Sequence, residues 1–407
     1  MVEKIKYTPF MIVLWIYILS IEVFSYRAGF VVITYGVFAL LLLFSLRRTN
    51  MRITVNPLFI YMFILVIVFG ASVAVSVNAS QTMRRWITMI LMFLTCLFIE
   101  WGLSDSTSDA TFNFFCKAII ETCVVAFIYD FLSVGPSTYL RYITQGARLT
   151  HVASQTNVMG VYGAIALNVM VFKTVFKKRY KLIPLYIAPI LMILASQSKK
   201  AMLCVLIGVL VMMALKYRKK KFLGIIVLVI MGLLFNYLTS LPIFESVLGR
   251  FNAAFSMVTT TTGQVYDWST YLRMQMIEEG MTLFKQRPLV GYGTDCYQYV
   301  ASFGTYSHNN YVELLVNNGL VGLVAYYWIY LYVVVELLKR IVKENDDSSI
   351  LLLTMFLTTL LMDYGEVSYY NKMTYVYIAW ALIYLWKKGK EDTRIYPRDD
   401  SVVFMRE

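Results

Sequence analysis

One of the chain's two histidines, His308, stands in the stretch YSHNNYVELLVNNGLVG (306–322), followed by Asn309, Asn310, Glu313, Asn317 and Asn318 before a purely apolar run begins. An imidazole titrates near neutrality and so can take the proton of an attacking hydroxyl. Ser307 suits an N-cap, and a helix starting near His308 would aim its first amides, the positive end of its dipole, at an anionic ligand. Asn309, Glu313 and Asn317 recur every four residues and therefore share one helix face. Polar groups at membrane depth must face protein or water.

The elements that have to position this segment are membrane helices. Hydrophobic residues make up 59% of the chain and charged residues 15%, far from the composition of soluble domains. Apolar runs long enough to cross a bilayer fall near 9–25, 28–46, 57–77, 86–104, 112–134, 156–176, 182–197, 201–216, 222–244, 319–338, 349–364 and 373–386. The expectation is an all-α polytopic integral membrane protein of about twelve transmembrane helices, 1–407 forming one transmembrane domain. Within 182–216, SQSKK is either a short turn or a buried interruption.

With both termini cytoplasmic, 24 Lys and Arg fall on the inner flanks and 12 on the outer ones, counting span-end lysines with the adjoining flank; this asymmetry sets the orientation. The clusters KTVFKKRYK and KYRKKK then face the anionic inner leaflet, which accounts for most of the net charge of +13 without a nucleic-acid partner. No signal-peptide cleavage site is evident, and the first span serves as its own insertion signal. The five cysteines have no metal-ligand spacing and read as packing residues.

Two outer loops exceed the usual length, 135–155 and 245–318, and the second should carry the site. In it STYLRMQMIEEGMTLFKQRP places Leu272, Met276, Ile277, Met281 and Phe284 at helical spacing, as in an amphipathic helix lying on the membrane surface. Pro288 stops that helix, and Gly291 and Gly293 provide a tight turn.

The combination RPLVGYGTDCY…SHNNYVELLVNNGLVGLVAYY resembles the signature region of the O-antigen ligase and polymerase superfamily. ILASQSKKAMLCVLIGVL is similar to that family's S-x-S-R-[GA] segment, STYLRMQMIEEGM to its Arg-bearing helix and RLTHVASQTNVMG to its R-x-[TS]…N-x-x-G stretch; together the matches cover about 148–325. The resemblance implies a membrane glycosyltransferase (GT-C-like) fold with neither cofactor nor metal. It also implies transfer of a glycan from an undecaprenyl pyrophosphate-linked oligosaccharide to an acceptor hydroxyl at the outer face of the cell membrane. Membrane lipids, and the flippase and chain-length regulator of the same pathway, are the implied partners. His308 matches the family's essential histidine and Arg273 its loop arginine, while Lys199 stands where the family usually has another arginine. That exchange keeps the charge and loses the bidentate fork, so either Lys199 or Arg148 completes a pyrophosphate site.

Such chemistry asks for these residue types in its own right: a base polarises the acceptor hydroxyl, and cations stabilise the charge on the departing phosphate. No Asp-x-Asp pair occurs on the outer side, which fits a metal-independent scheme. Asn309, Asn310, Tyr311 and Glu313, with Asp363 and Glu366 of LLMDYGEVSYY, are candidates for sugar hydroxyls, the last two equally for boundary residues. His151 reads as a solvated loop residue. Extension of a surface or capsular polysaccharide by an inverting polymerase is the expected activity; an O-antigen or protein ligase differs only in acceptor. A transporter or flippase is the rival of another class, and transporters tend to carry polar groups near the midplane.

Overall fold

A computed structural model describes residues 8–24, 28–46, 54–145, 147–149, 156–220 and 268–395, with a few positions between 222 and 233. All regular structure among them is helical. The helices are α1 (Pro9–Leu19), α2 (Ala28–Leu46), α3 (Pro57–Ala71), α4 (Ala79–Gly102), α5 (Ser108–Val134), α6 (Pro136–Thr144) and α7 (Thr156–Val175). They continue with α8 (Ile187–Ser196), α9 (Lys199–Lys216), α10 (Trp268–Gln286), α11 (Asn310–Lys343), α12 (Asp347–Met362) and α13 (Lys372–Ile395).

A helix lies at eleven of the twelve expected spans; 222–244 falls largely outside the described residues. Four helices are by themselves long and apolar enough to cross a membrane, Pro57–Val75, Ala79–Gly102, Thr156–Val175 and Asn310–Lys343. A fifth candidate is the pair α5 and α6, bent by 99° at Gly135 and Pro136. Several starts follow from local chemistry. Pro9 and Pro57 open their helices behind Thr8 and Asn56, whose side chains accept from Met11 N at 3.3 Å and Phe59 N at 2.9 Å. SQSKK is a buried break: Gln197 takes a left-handed conformation (φ 49°), and Ser198 caps α9 by accepting from Ala201 N at 3.4 Å.

The main apolar core runs from Phe10 on α1 to Leu385 on α13. On it α7 packs against α8 and α9, α9 against α12, and α11 against α3, α10 and α12. All five cysteines are free and buried. The apolar stripe of α10 does not rest on a membrane surface as expected. Met276 joins Tyr292, Tyr297, Val312 and Val316 in a separate cluster, with Ile277, Met281 and Phe284 packed on it, so protein covers that stripe. Gly280 makes the fit possible, because a Cβ there would overlap the Val312 side chain.

Candidate active site

Pro288–Cys296 and α11 are built around each other. α11 is broken at Gly319, whose φ of 63° and ψ of −163° only glycine adopts readily. At that break Leu320 N donates to Pro288 O at 2.9 Å and Val321 N to Leu289 O at 3.2 Å. One turn earlier Tyr292 N donates to Val316 O at 3.0 Å and Gly293 N to Asn317 O at 2.8 Å. Asn317 closes the joint, its Oδ1 accepting from Cys296 N at 3.0 Å and Tyr297 N at 2.6 Å, its Nδ2 donating to Glu313 Oε1 and to the Tyr369 hydroxyl, both at 3.2 Å. The polar face seen in the sequence is real, and it faces protein.

The helix starts later than expected. Asn309, not Ser307, is the N-cap, accepting from Val312 N at 3.1 Å. Ser307 braces the turn instead: its N–H donates to Glu313 Oε2 at 2.7 Å, and its hydroxyl donates to Asn309 O at 2.8 Å while accepting from Asn309 N at 3.2 Å. Asn310 ties α11 to the segment after α12, its Oδ1 accepting from Ser368 N at 2.9 Å and Tyr369 N at 3.0 Å, its Nδ2 donating to the Tyr327 hydroxyl at 2.8 Å. Tyr311 donates to Leu360 O at 2.7 Å and stacks on Tyr327 with centroids 4.9 Å apart. Of the residues expected to meet sugar, Asn309, Asn310 and Glu313 are buried and bonded within the protein, and Tyr311 is bonded to backbone.

His308 is the exception. Held between Ser307 and the Asn309 cap, it takes a left-handed backbone (φ 55°) and remains half-buried, with the Tyr306 ring centroid 4.1 Å away. Its pKa is lowered from 6.5 to about 4, first by loss of water and then by the positive charges of Arg273 and Lys200. The imidazole is therefore neutral at pH 7. These charges bring three chain regions together: Arg273 half-buried on α10, Lys200 on the first turn of α9, and His308 before α11.

Lys200 brings its charge to this cluster. Its Nζ donates to the Gly365 carbonyl and pairs with Glu366 Oε2 at 3.3 Å. The expected Lys199 is half-buried one position earlier. Exposed Arg148 donates to Asn157 Oδ1, and its charge reaches Lys200. Asp363 is buried, accepting from the Tyr327 hydroxyl at 2.7 Å, and Glu366 is half-buried beside Lys200. His151 lies outside the described residues.

Sequence reasoning missed two supports. Asp295, also left-handed (φ 62°), binds Arg85 Nε at 2.6 Å and accepts from Gln81, fastening the glycine turn to α4. Tyr369 accepts from Asp295 N at 3.1 Å as well as from Asn317. Asp295 sat in the quoted GTDCY, but nothing in the sequence names Arg85 as its partner.

No curated protein matches the chain. A family model described as O-Antigen ligase matches residues 184–327, a range that holds Lys199, Lys200, Arg273 and His308 but not Arg148, Asp363 or Glu366. Over 184–327, therefore, the chain is similar to the O-antigen ligase family, in agreement with the superfamily resemblance of its His308 segment.

Proposed function

We propose that the protein is a polysaccharide polymerase of the outer membrane face of the cell membrane, inverting and metal-independent, on a twelve-span GT-C-like frame with cytoplasmic termini. An acceptor sugar hydroxyl of a lipid-linked repeat unit attacks the anomeric carbon of the donor glycan. The new C–O bond forms as the bond from that carbon to the phosphate oxygen breaks, and its electron pair leaves on undecaprenyl pyrophosphate. His308 takes the hydroxyl proton; Arg273 and Lys200, with Arg148 farther out, receive the charge of the leaving group.

The observation that supports this reading most is a neutral histidine presented beside two cations, while its neighbours Asn309, Asn310, Glu313 and Asn317 are bonded within the protein. A base with a pKa near 4 is weak, and catalysis is most efficient when that value lies near the operating pH. Burial is the larger cause of that depression and stays in place; pyrophosphate bound to Arg273 and Lys200 offsets the part due to their charges, so donor binding strengthens the base.

The test is turnover of lipid-linked repeat units by purified enzyme. His308→Ala should abolish elongation while donor binding stays nearly intact, and full activity of that variant would overturn the reading. The description of the matched family favours a ligase as the second reading; it keeps the same donor chemistry and differs in acceptor. A deletion strain separates the two, since polymer lost with single-repeat products retained indicates a polymerase, and accumulated unlinked polymer a ligase.

A further inference from the structure

Lys200 enters the cluster already paired. Its Nζ lies 3.3 Å from Glu366 Oε2 and also donates to the Gly365 carbonyl. The charges of Arg273 and Arg148 act on the same lysine, and those of Arg273 and Lys200 act on His308. Glu366 bears in turn on Tyr306, whose ring centroid lies 4.1 Å from that of His308. A carboxylate oxygen on a lysine ammonium takes the place a phosphate oxygen would take. The seat expected for a phosphate on Lys200 is thus held by an anion of the chain itself. This pair is placed to exchange. The Lys200 and Glu366 side chains are 18% and 32% exposed, and ion pairs that keep contact with water are weak. Glu366 also lines a cavity of about 90 Å³ with Glu22, Asp363, Thr359 and Asn371, room for several waters to hydrate a carboxylate that has let go of Lys200.

We propose that Glu366 is a specificity-determining residue, which holds Lys200 against anionic lipids that carry one phosphate and yields it to a pyrophosphate. The proposal rests on the reading of Arg273 and Lys200 as the pyrophosphate site and deepens it. A single phosphate group can pair with Arg273 and leave Lys200 to Glu366. To take Lys200 as well, it must free a carboxylate beside itself, and two anions at close range repel. A pyrophosphate brings a second phosphate group and more negative charge, so it gains both cations when Glu366 lets go. An anion built into the protein therefore penalises the weaker ligand more than the stronger one, which is how a competing group creates selectivity. The setting calls for such selection, because a cationic cluster at a membrane surface attracts every anionic headgroup around it.

The test uses the full chain in phosphatidylcholine nanodiscs, with farnesyl pyrophosphate and farnesyl phosphate as probes and Kd by calorimetry as the readout. The unaltered chain should bind the pyrophosphate at least about thirtyfold tighter than the monophosphate. Glu366→Gln should tighten the monophosphate by about tenfold and the pyrophosphate by less than about threefold, so the ratio narrows. In a Lys200→Gln background the same change should alter monophosphate binding by less than about twofold, because the contested lysine is gone. Exchanging phosphatidylcholine for phosphatidylglycerol should weaken pyrophosphate binding to Glu366→Gln about tenfold more than binding to the unaltered chain. Equal affinity of the two probes for the unaltered chain would overturn the selector without any variant. Monophosphate binding unchanged or weakened by Glu366→Gln, with the pyrophosphate still bound, would overturn it too and leave the pyrophosphate site standing. Failure of the unaltered chain to bind either probe would remove the pyrophosphate site, and the selector with it.

Discussion

Lys200 and Glu366, 166 positions apart in the chain, meet at 3.3 Å where the first turn of α9 faces the segment after α12. This pair ties the cluster of Arg273 and His308 to the segment after α12. Lys199 and Lys200 leave α9 in different directions, since one residue along an α-helix turns a side chain by about 100°.

That phase makes the two lysines separable. Lys200→Ala should lower turnover by about thirtyfold to a thousandfold, the loss of one charge-assisted contact worth roughly 2–4 kcal/mol in the transition state. Lys199→Ala should cost far less, and Lys200→Arg should retain much of the activity. Steady-state rates of the three variants decide it: equal losses at both positions would show that neither is singled out.

His308 makes a pH prediction with a definite sign. The unfolded imidazole takes its proton near 6.5 and the folded one only near 4, so the unfolded state binds more protons between those values. The stability this group contributes is present above pH 6.5 and is lost as the pH falls through about 4. With two histidines in the chain, ¹³C-histidine NMR should show one resonance titrating well below 6.5, assigned by His308→Ala. Undecaprenyl pyrophosphate should move that midpoint upward; a midpoint fixed on donor binding would show that the donor does not strengthen the base.

Frame and chemistry should come apart on substitution. Asn317→Ala removes the Oδ1 that accepts from both Cys296 N and Tyr297 N; Cys296 N keeps the Gly293 carbonyl at 3.1 Å, and Tyr297 N loses its partner. About 1–3 kcal/mol per orphaned group is the expected cost, and activity should fall together with thermal stability. Gly319→Ala should do the same, because its backbone conformation is strained for any side chain and a Cβ would overlap the Leu289 carbonyl. His308→Ala should lower activity with its melting temperature unchanged. Thermal unfolding in detergent beside turnover checks all three, and an Asn317→Ala enzyme as stable as the parent but inactive would move Asn317 from the frame to the chemistry.

Helix positions were legible because apolar runs and proline starts act locally: Pro9, Pro57 and the SQSKK break stand where composition put them. His308 was legible because an imidazole is rare in this chain and stands in a recognisable segment. What stayed hidden is pairing at long range. The sequence offered Asn310 as a sugar ligand and did not reveal its bonds to Ser368 and Tyr369. Glu313, exposed to nothing, takes the Ser307 amide. A polar side chain near a membrane boundary reads alike whether protein or substrate satisfies it, and only the partner's position decides. Glu22 was overlooked for a related reason: one acid at the end of an apolar run reads as its boundary, whereas the fold turns it into the wall of a cavity.

Orientation is open to a direct measurement. The charge asymmetry puts KYRKKK inside and the His308 side outside, and the structure supplies well-exposed reporters for each, Lys219 after α9 and Tyr364 after α12, the latter 67% exposed. All five native cysteines are buried, so background labelling by a thiol reagent should be low. In intact cells Tyr364→Cys should react with an impermeant maleimide, whereas Lys219→Cys should react only after the membrane is opened. The two positions lie beyond opposite ends of the packed pair α9 and α12, so a single barrier between them explains the contrast. Labelling of Lys219→Cys alone in intact cells would reverse the topology, place Arg273, Lys200 and His308 at the cytoplasmic face, and remove outer-face polymerisation as the function of the cluster.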